Sequence, residues 1–149
     1  MKTLIEKTSN KLVRAFLKNK IIAPISSKFT KKIKEAQKLR ILCESKIKEP
    51  VAGFKAAGTG IPVIKKLKEK EPFYASVYKR NVLKSGKRVK INKSTLGIEL
   101  DVYYQIKKSF FSSKGSITMK NISKYLSHMG PCIEVVGYRQ RKKVITSFG

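Results

Sequence analysis

The chain has 149 residues, a length that fits one domain, and 41% of them are hydrophobic, which is enough for a core. No run approaches the roughly eighteen apolar residues of a membrane span, and the N-terminus lacks an uninterrupted apolar segment, so we expect neither a membrane helix nor a signal peptide. The formal net charge of +26 excludes an acidic protein and makes nucleic acid or another polyanion a partner to consider.

The positive charge is spread from end to end and comes mostly from lysine. Only six cations are arginines, the residue type favoured for reading base edges and for bidentate phosphate contacts. Because no basic arm or block stands out, a nucleic-acid-binding or polyanion-binding protein without catalytic activity stays an alternative. Cys43 and Cys132 have neither metal-site spacing nor a disulfide framework, which predicts free thiols in a reducing cytoplasm.

The sequence pattern of residues 1–48 predicts a layer of helices. Apolar residues at spacings of three and four indicate an amphipathic helix over residues 3–20, which the segment around Pro24 ends. Ser26 or Ser27 can cap a second helix over residues 28–45. Two helices of this kind suit the packing of one layer against a sheet.

From residue 49 onward the pattern changes to short strands and turns. A strand within 51–59 runs into a turn, and a helical turn at 61–67 follows. The pattern at 71–78 predicts a loop that enters a strand, and further strands are predicted at 88–91 and 96–106. Thr118 looks like the cap of a helix that continues to His128 and is stopped by Gly130 and Pro131, with a last strand at 132–138. We interpret His128 as the end of that helix rather than as a catalytic residue.

Lys55 is the only charged residue of the first predicted strand. Its neighbours are small, among them Gly53 and Gly58, and small residues let a ligand approach the backbone. A lysine at the edge of a strand is also simply solvated in many proteins. The local sequence leaves both interpretations open.

Three carboxylates lie on two predicted strands. Apolar side chains alternate with polar ones from Ile98 to Ile106, which indicates a strand with one face in a core and with Glu99 and Asp101 on the other face. Glu134 interrupts an apolar run at 132–136. Such a set suits Mg²⁺ or Mn²⁺, which prefer oxygen ligands. The alternative is a solvated face for the first two acids and a lysine partner for the third.

Four ordered segments carry a resemblance to a known family. They are Gly-Phe-Lys-Ala-Ala-Gly-Thr at 53–59, Glu-Pro-Phe-Tyr-Ala at 71–75, Gly-Ile-Glu-Leu-Asp at 97–101 and Ile-Glu-Val-Val-Gly-Tyr-Arg at 133–139. The set resembles the 2-keto-4-pentenoate hydratase family of the fumarylacetoacetate hydrolase superfamily. In this order, the four segments resemble the family's lysine motif, its E-P-x-x-G segment, its E-x-E metal pair and the strand that carries its third carboxylate. Asp101 replaces the usual glutamate, and Ala57 and Ala75 replace usual glycines.

The resemblance implies a single hydratase-like domain over residues 1–149 with an α+β fold. Two N-terminal helices (1–48) would precede a mixed, rolled β-sheet (49–149) like that of fumarylacetoacetate hydrolase. Family members are usually longer, so the sheet looks incomplete at its C-terminal end. We therefore expect the chain alone to be poorly active, and a full-length member to be a homo-oligomer.

The resemblance also implies a function. By this resemblance, the protein would be a cytoplasmic carbon–oxygen lyase that hydrates 2-hydroxypenta-2,4-dienoate or a similar small unsaturated 2-oxo acid from the breakdown of aromatic compounds. Mg²⁺ or Mn²⁺ would be held by Glu99, Asp101 and Glu134. Lys55 would bind the substrate carboxylate or move a proton, and Thr59 and Arg139 would bind substrate. Decarboxylation of 2-oxo-3-hexenedioate within the same family is the alternative reaction.

Overall fold

The computed structural model describes residues 3–29, 31–67, 72–111 and 115–140, and the chain divides into two compact units. The first unit comprises Met1–Lys90 with Arg139–Gly149, and the second comprises Ile91–Tyr138. Helices and antiparallel strands are both present, which confirms an α+β protein in general terms.

The first unit holds the helices and one strand pair. Its elements are α1 (Leu4–Leu17), α2 (Ile33–Lys46), β1 (Val51–Ala57), α3 (Ile61–Leu67) and β2 (Phe73–Tyr78). The helical prediction for 61–67 is confirmed. The predicted strand at the start of 51–59 and the predicted strand at the end of 71–78 are present as β1 and β2. Glu71, the first residue of the Glu-Pro-Phe-Tyr-Ala segment, lies outside the described residues.

Local hydrogen bonds explain where α1 begins, whereas α2 has no side-chain cap. The Thr3 hydroxyl accepts a hydrogen bond from the Glu6 amide, and the Thr3 amide donates to the Glu6 carboxylate at 2.7 Å, so α1 starts in a capping box. The predicted start of α2 near residue 28 is wrong. Residues Ser27–Phe29 form a short 3₁₀ turn instead, and α2 begins at Ile33.

The core of the first unit is small. Its buried hydrophobic residues come from α1, the 3₁₀ turn, α2 and β2, and they are Val13, Ala15, Phe29, Leu39 and Tyr78. Between the two helices, the fully buried Ser9 hydroxyl accepts a hydrogen bond from the ammonium group of Lys46, which also donates to Asn10 at 2.8 Å. A polar link and a few large side chains therefore hold α1 against α2.

A carboxylate joins α2 to the antiparallel pair of β1 and β2. Glu44 accepts a hydrogen bond from the Ser76 amide at 3.0 Å and another from Arg40 at 2.6 Å, and the Arg40 guanidinium lies 4.7 Å from the centre of the Tyr74 ring. Partial burial by itself raises the pKa of Glu44, but the bonds from Ser76 and Arg40 outweigh it, so this pKa lies below its ordinary value of 4.5.

Changing Glu44 to glutamine should lower the free energy of unfolding at pH 7 by about 1–3 kcal/mol, because hydrogen bonds to a charged acceptor are lost. The pKa of Glu44 is lower in the folded chain than in the unfolded chain, so the ionised carboxylate stabilises the fold above pH 4.5. This contribution disappears as the pH falls through the folded-state pKa. Urea titrations at pH 7 and at about pH 3 should therefore show a smaller penalty in acid. Glu35→Gln is the control, because it removes the same charge from a half-buried position of α2 and loses only an ion pair with Lys38 one turn away, which should cost little. An equal penalty for Glu44→Gln at both pH values would contradict the assignment.

The second unit is built on one long hairpin. Its strands are β3 (Thr95–Ile106) and β4 (Leu126–Gly137), which pair antiparallel from end to end. The predicted strand at 96–106 is confirmed. No strand lies at 88–91, where the described backbone is irregular.

The predicted helix from Thr118 to His128 is wrong. Only a 3₁₀ turn at Ile122–Tyr125 is present, and β4 begins at Leu126. Two residues that look like a helix stop belong to the strand. Gly130 lies where an added Cβ would come within 2.9 Å of the Tyr103 ring, and Pro131 pairs with Val102 on a strand whose other edge carries no described partner.

The prediction that the apolar face of β3 lies in a core is also wrong. Leu100, in the middle of that face, is 83% exposed, and its neighbours Ile98 and Val102 are exposed as well. Alternation requires only that the two faces differ, and it does not show that a second layer covers the apolar one.

The described strands form two separate two-stranded antiparallel sheets rather than one mixed sheet. A rolled sheet and a single hydratase-like domain therefore stay predictions. No helix among the described residues is long and apolar enough to cross a membrane.

Candidate metal centre

The hairpin register brings the three predicted carboxylates together. Glu99 pairs directly with Glu134, and Asp101 follows two residues later on the same face, opposite Cys132. One carboxylate oxygen from each acid lies within 4.8 Å of the others. The cluster is thus a product of strand register, since a slip of one residue would move Glu134 to the opposite face.

The three carboxylates bring negative charges together at a site that is partly shielded from solvent. Glu99 is exposed, whereas Asp101 and Glu134 are half-buried and the Oε2 atom of Glu134 is shielded from solvent. Like charges directly opposite each other on paired strands destabilise the pair, and withdrawing a carboxylate from water costs further free energy. A cation between the three groups would relieve both effects.

The donor set fits a hard divalent ion. All three ligands are carboxylates, and Mg²⁺ and Mn²⁺ prefer such oxygens. Oxygens bound to Mg²⁺ at about 2.1 Å lie about 3.0 Å apart at neighbouring positions of an octahedron and about 4.2 Å apart at opposite ones. The three oxygens, which lie within 4.8 Å of one another, would therefore have to approach by up to about 2 Å to bind one ion. Rotation about the side-chain bonds of glutamate supplies movement of that size.

His128 also lies on the carboxylate face of the hairpin, whereas the sequence predicted it at the end of a helix. His128 pairs with Gln105, and its ring lies edge-on to Tyr103 with the ring centres 5.7 Å apart. The alternating apolar residues Met129, Ile133 and Val135 carry the signal that would have extended the last strand back past His128.

The other predicted site residues belong to the first unit. Lys55 is half-buried on β1 opposite Ala75, and Thr59 is exposed just beyond that strand. Arg139 donates a hydrogen bond to Asn19 at 2.8 Å, and its guanidinium lies 5.8 Å from the centre of the Phe16 ring. Burial lowers the pKa of Arg139. These contacts give Arg139 a structural task at the end of α1, and its role toward substrate stays a prediction.

The carboxylate cluster is therefore the part of the predicted site that the structure assembles, with Lys55, Thr59 and Arg139 in the other unit. The two thiols, Cys43 and Cys132, are free, and burial raises the pKa of Cys43, which disfavours a reactive thiolate there. When the chain is compared with protein-family models, with curated proteins and with solved structures, no match is found, so the resemblance to the hydratase family rests on the sequence motifs alone.

Proposed function

We propose that this chain is a hydratase-like domain that uses Mg²⁺ or Mn²⁺ to hydrate a small unsaturated 2-oxo acid, of the 2-hydroxypenta-2,4-dienoate type. The proposal includes a fumarylacetoacetate hydrolase-like fold and a cytoplasmic setting, to which free cysteines are suited. The observation that carries it is the convergence of Glu99, Asp101 and Glu134 on one face of the hairpin.

The three carboxylates would hold the ion and leave part of its coordination shell open to substrate. A divalent ion there would act as a Lewis acid toward a substrate carboxylate and its neighbouring 2-oxo oxygen. The resemblance alone assigns Lys55 the substrate carboxylate or a proton transfer, and assigns substrate contacts to Thr59 and Arg139.

One observation favours a second candidate function. The net charge of +26 suits binding to nucleic acid or another polyanion, in which case the acids on the hairpin would be incidental. That function requires affinity that falls steeply with salt and that does not change when Glu134 is neutralised.

A pair of matched ligands tests the proposal without depending on turnover. Water-proton relaxation of the Mn²⁺-loaded chain is followed while 2-oxopentanoate or pentanoate is added. We expect 2-oxopentanoate to lower the relaxation until the effect saturates, and pentanoate to be at least about tenfold weaker. Only the 2-oxo acid can bind the ion through both its carboxylate and its 2-oxo oxygen, in a five-membered chelate ring. Equal effects of the two acids would contradict the proposal.

Product analysis then separates the two reactions of the family. Nuclear magnetic resonance of mixtures containing 2-hydroxypenta-2,4-dienoate or 2-oxo-3-hexenedioate distinguishes addition of water from release of carbon dioxide. Product that forms only with Mn²⁺, and not with Glu134→Gln, would support catalysis at the cluster.

A further inference from the structure

The hairpin presents an apolar face opposite the carboxylate cluster. Pairing in the ladder places eight side chains on this face, all of them exposed in the single chain: Ile98, Leu100, Val102, Tyr104, Met129, Pro131, Ile133 and Val135. The pattern inverts the usual arrangement, because Glu134 on the other face is half-buried while Ile133 and Val135 beside it are exposed.

This apolar face is too large to be an ordinary feature of a monomer. Eight mostly large side chains at these exposures present on the order of 800 Å², whereas the largest apolar patch of a typical monomer is about 300–600 Å². The area is close to one partner's share of a standard protein interface, about 800 Å². A two-stranded hairpin is also only marginally stable in water, so covering this face would stabilise it.

The chemistry of the face argues for protein rather than for an anionic partner. None of its eight residues is charged, although the chain carries 35 lysines and arginines. Nucleic acid and anionic headgroups require cations at the contact, and this face offers none. Branched aliphatic side chains on a pleated surface are instead suited to pack against another sheet face about 10 Å away.

We propose that the apolar face is the interface through which two copies of this chain associate, sheet face against sheet face about a twofold axis. In such an arrangement each copy offers the same residues, so one apolar surface supplies both halves of the contact. The carboxylate clusters would face outward from the paired hairpins, and the inference therefore stands independently of what the clusters bind.

Charge gives the dimer a distinctive salt dependence. Each copy carries +26, so the copies repel one another at low ionic strength and added salt should strengthen their association. Binding of a polyanion responds to salt in the opposite direction.

The first arm of the test is sedimentation velocity of the full chain over a range of concentrations and salt. We expect a monomer–dimer equilibrium, with Leu100→Lys weakening it at least about tenfold because two lysines would enter the apolar contact. Ile91→Lys is the matched control, since Ile91 is 71% exposed against 83% for Leu100 and lies outside the hairpin. A parent that stays monomeric at every concentration overturns the proposal, as does a folded Leu100→Lys chain that dimerises like the parent.

The second arm needs no substitution. Met129 lies on the apolar face and is 60% exposed, whereas Met119 lies outside it and is 91% exposed. Mild peroxide oxidation, read by peptide mass spectrometry, should slow at Met129 as protein concentration rises and stay constant at Met119. The proposal is overturned if Met129 is oxidised at the same rate at all protein concentrations. It is also overturned if Met129 becomes protected only when anionic phospholipid vesicles are added.

Discussion

Changing Glu134 to glutamine should weaken Mn²⁺ binding by on the order of 100-fold or more, as measured from free Mn²⁺ by electron paramagnetic resonance. The substitution removes one of the two half-buried charges of the cluster and keeps the size of the side chain. It also removes a like-charge contact with Glu99, so the hairpin should fold at least as well as in the parent. Lost binding would then report on the ligand and not on unfolding.

Two companion variants complete this experiment. Glu99→Gln should lose binding as well, because the cluster needs all three oxygens. Glu35→Gln carries the same change in charge at a position in α2, and it should bind Mn²⁺ like the parent. If the folded parent bound no Mn²⁺, or if Glu134→Gln bound as tightly as the parent, the metal centre would be disproved.

Truncating Leu39 to alanine should lower the free energy of unfolding by about 2–5 kcal/mol, because it opens a cavity in the small core of the first unit. Leu39 is only 4% exposed and is one of five buried hydrophobic residues in the part of the chain that the structure describes. Since domains are stable by about 5–15 kcal/mol in total, this one change removes a large share. Urea denaturation followed by circular dichroism measures it.

The same helix supplies the control for this second prediction. Ile41 is 57% exposed two residues further along α2, and Ile41→Ala should change stability by no more than about 0.5 kcal/mol. Similar losses for Leu39→Ala and Ile41→Ala would mean that the α1–α2 packing is not the source of stability in this unit.

Local sequence signals predicted the elements that depend on nearby residues. The apolar spacing of α1 and its Thr3–Glu6 capping box lie within a few residues of one another, and the helix forms close to where that spacing places it. The alternation that predicted β3 is equally local. The start of α2 was misjudged because serine can cap a helix or stabilise a turn, and the Ser26 hydroxyl here accepts a hydrogen bond from the Lys28 amide at 3.3 Å.

Two further errors arose where pairing or packing with distant residues decides the structure. Gly130 and Pro131 are strong local stop signals, but pairing with β3 makes them part of β4. The exposure of Leu100 depends on whether another layer covers the strand, which alternation does not encode.

The candidate site was predictable in part. Glu99 and Asp101 were correctly placed on one face, because they are two residues apart in a strand. The direct pairing of Glu99 with Glu134 depends on the register between β3 and β4. A connection of nearly twenty residues joins the two strands, and their ladder is irregular near both ends, so local sequence does not determine this register. The residues alone suggested the three acids as a metal set, and the family resemblance strengthened that prediction without determining the register.

The pairing of Glu99 with Glu134 also sets a compromise between folding and chemistry. A lysine at position 134 would turn the repulsive pair into a cross-strand ion pair and strengthen the hairpin, at the expense of the cluster. With glutamate there, a divalent ion that binds the folded hairpin contributes free energy to its folding. The concentration of divalent ions around the protein would then control how much of the time this hairpin is intact.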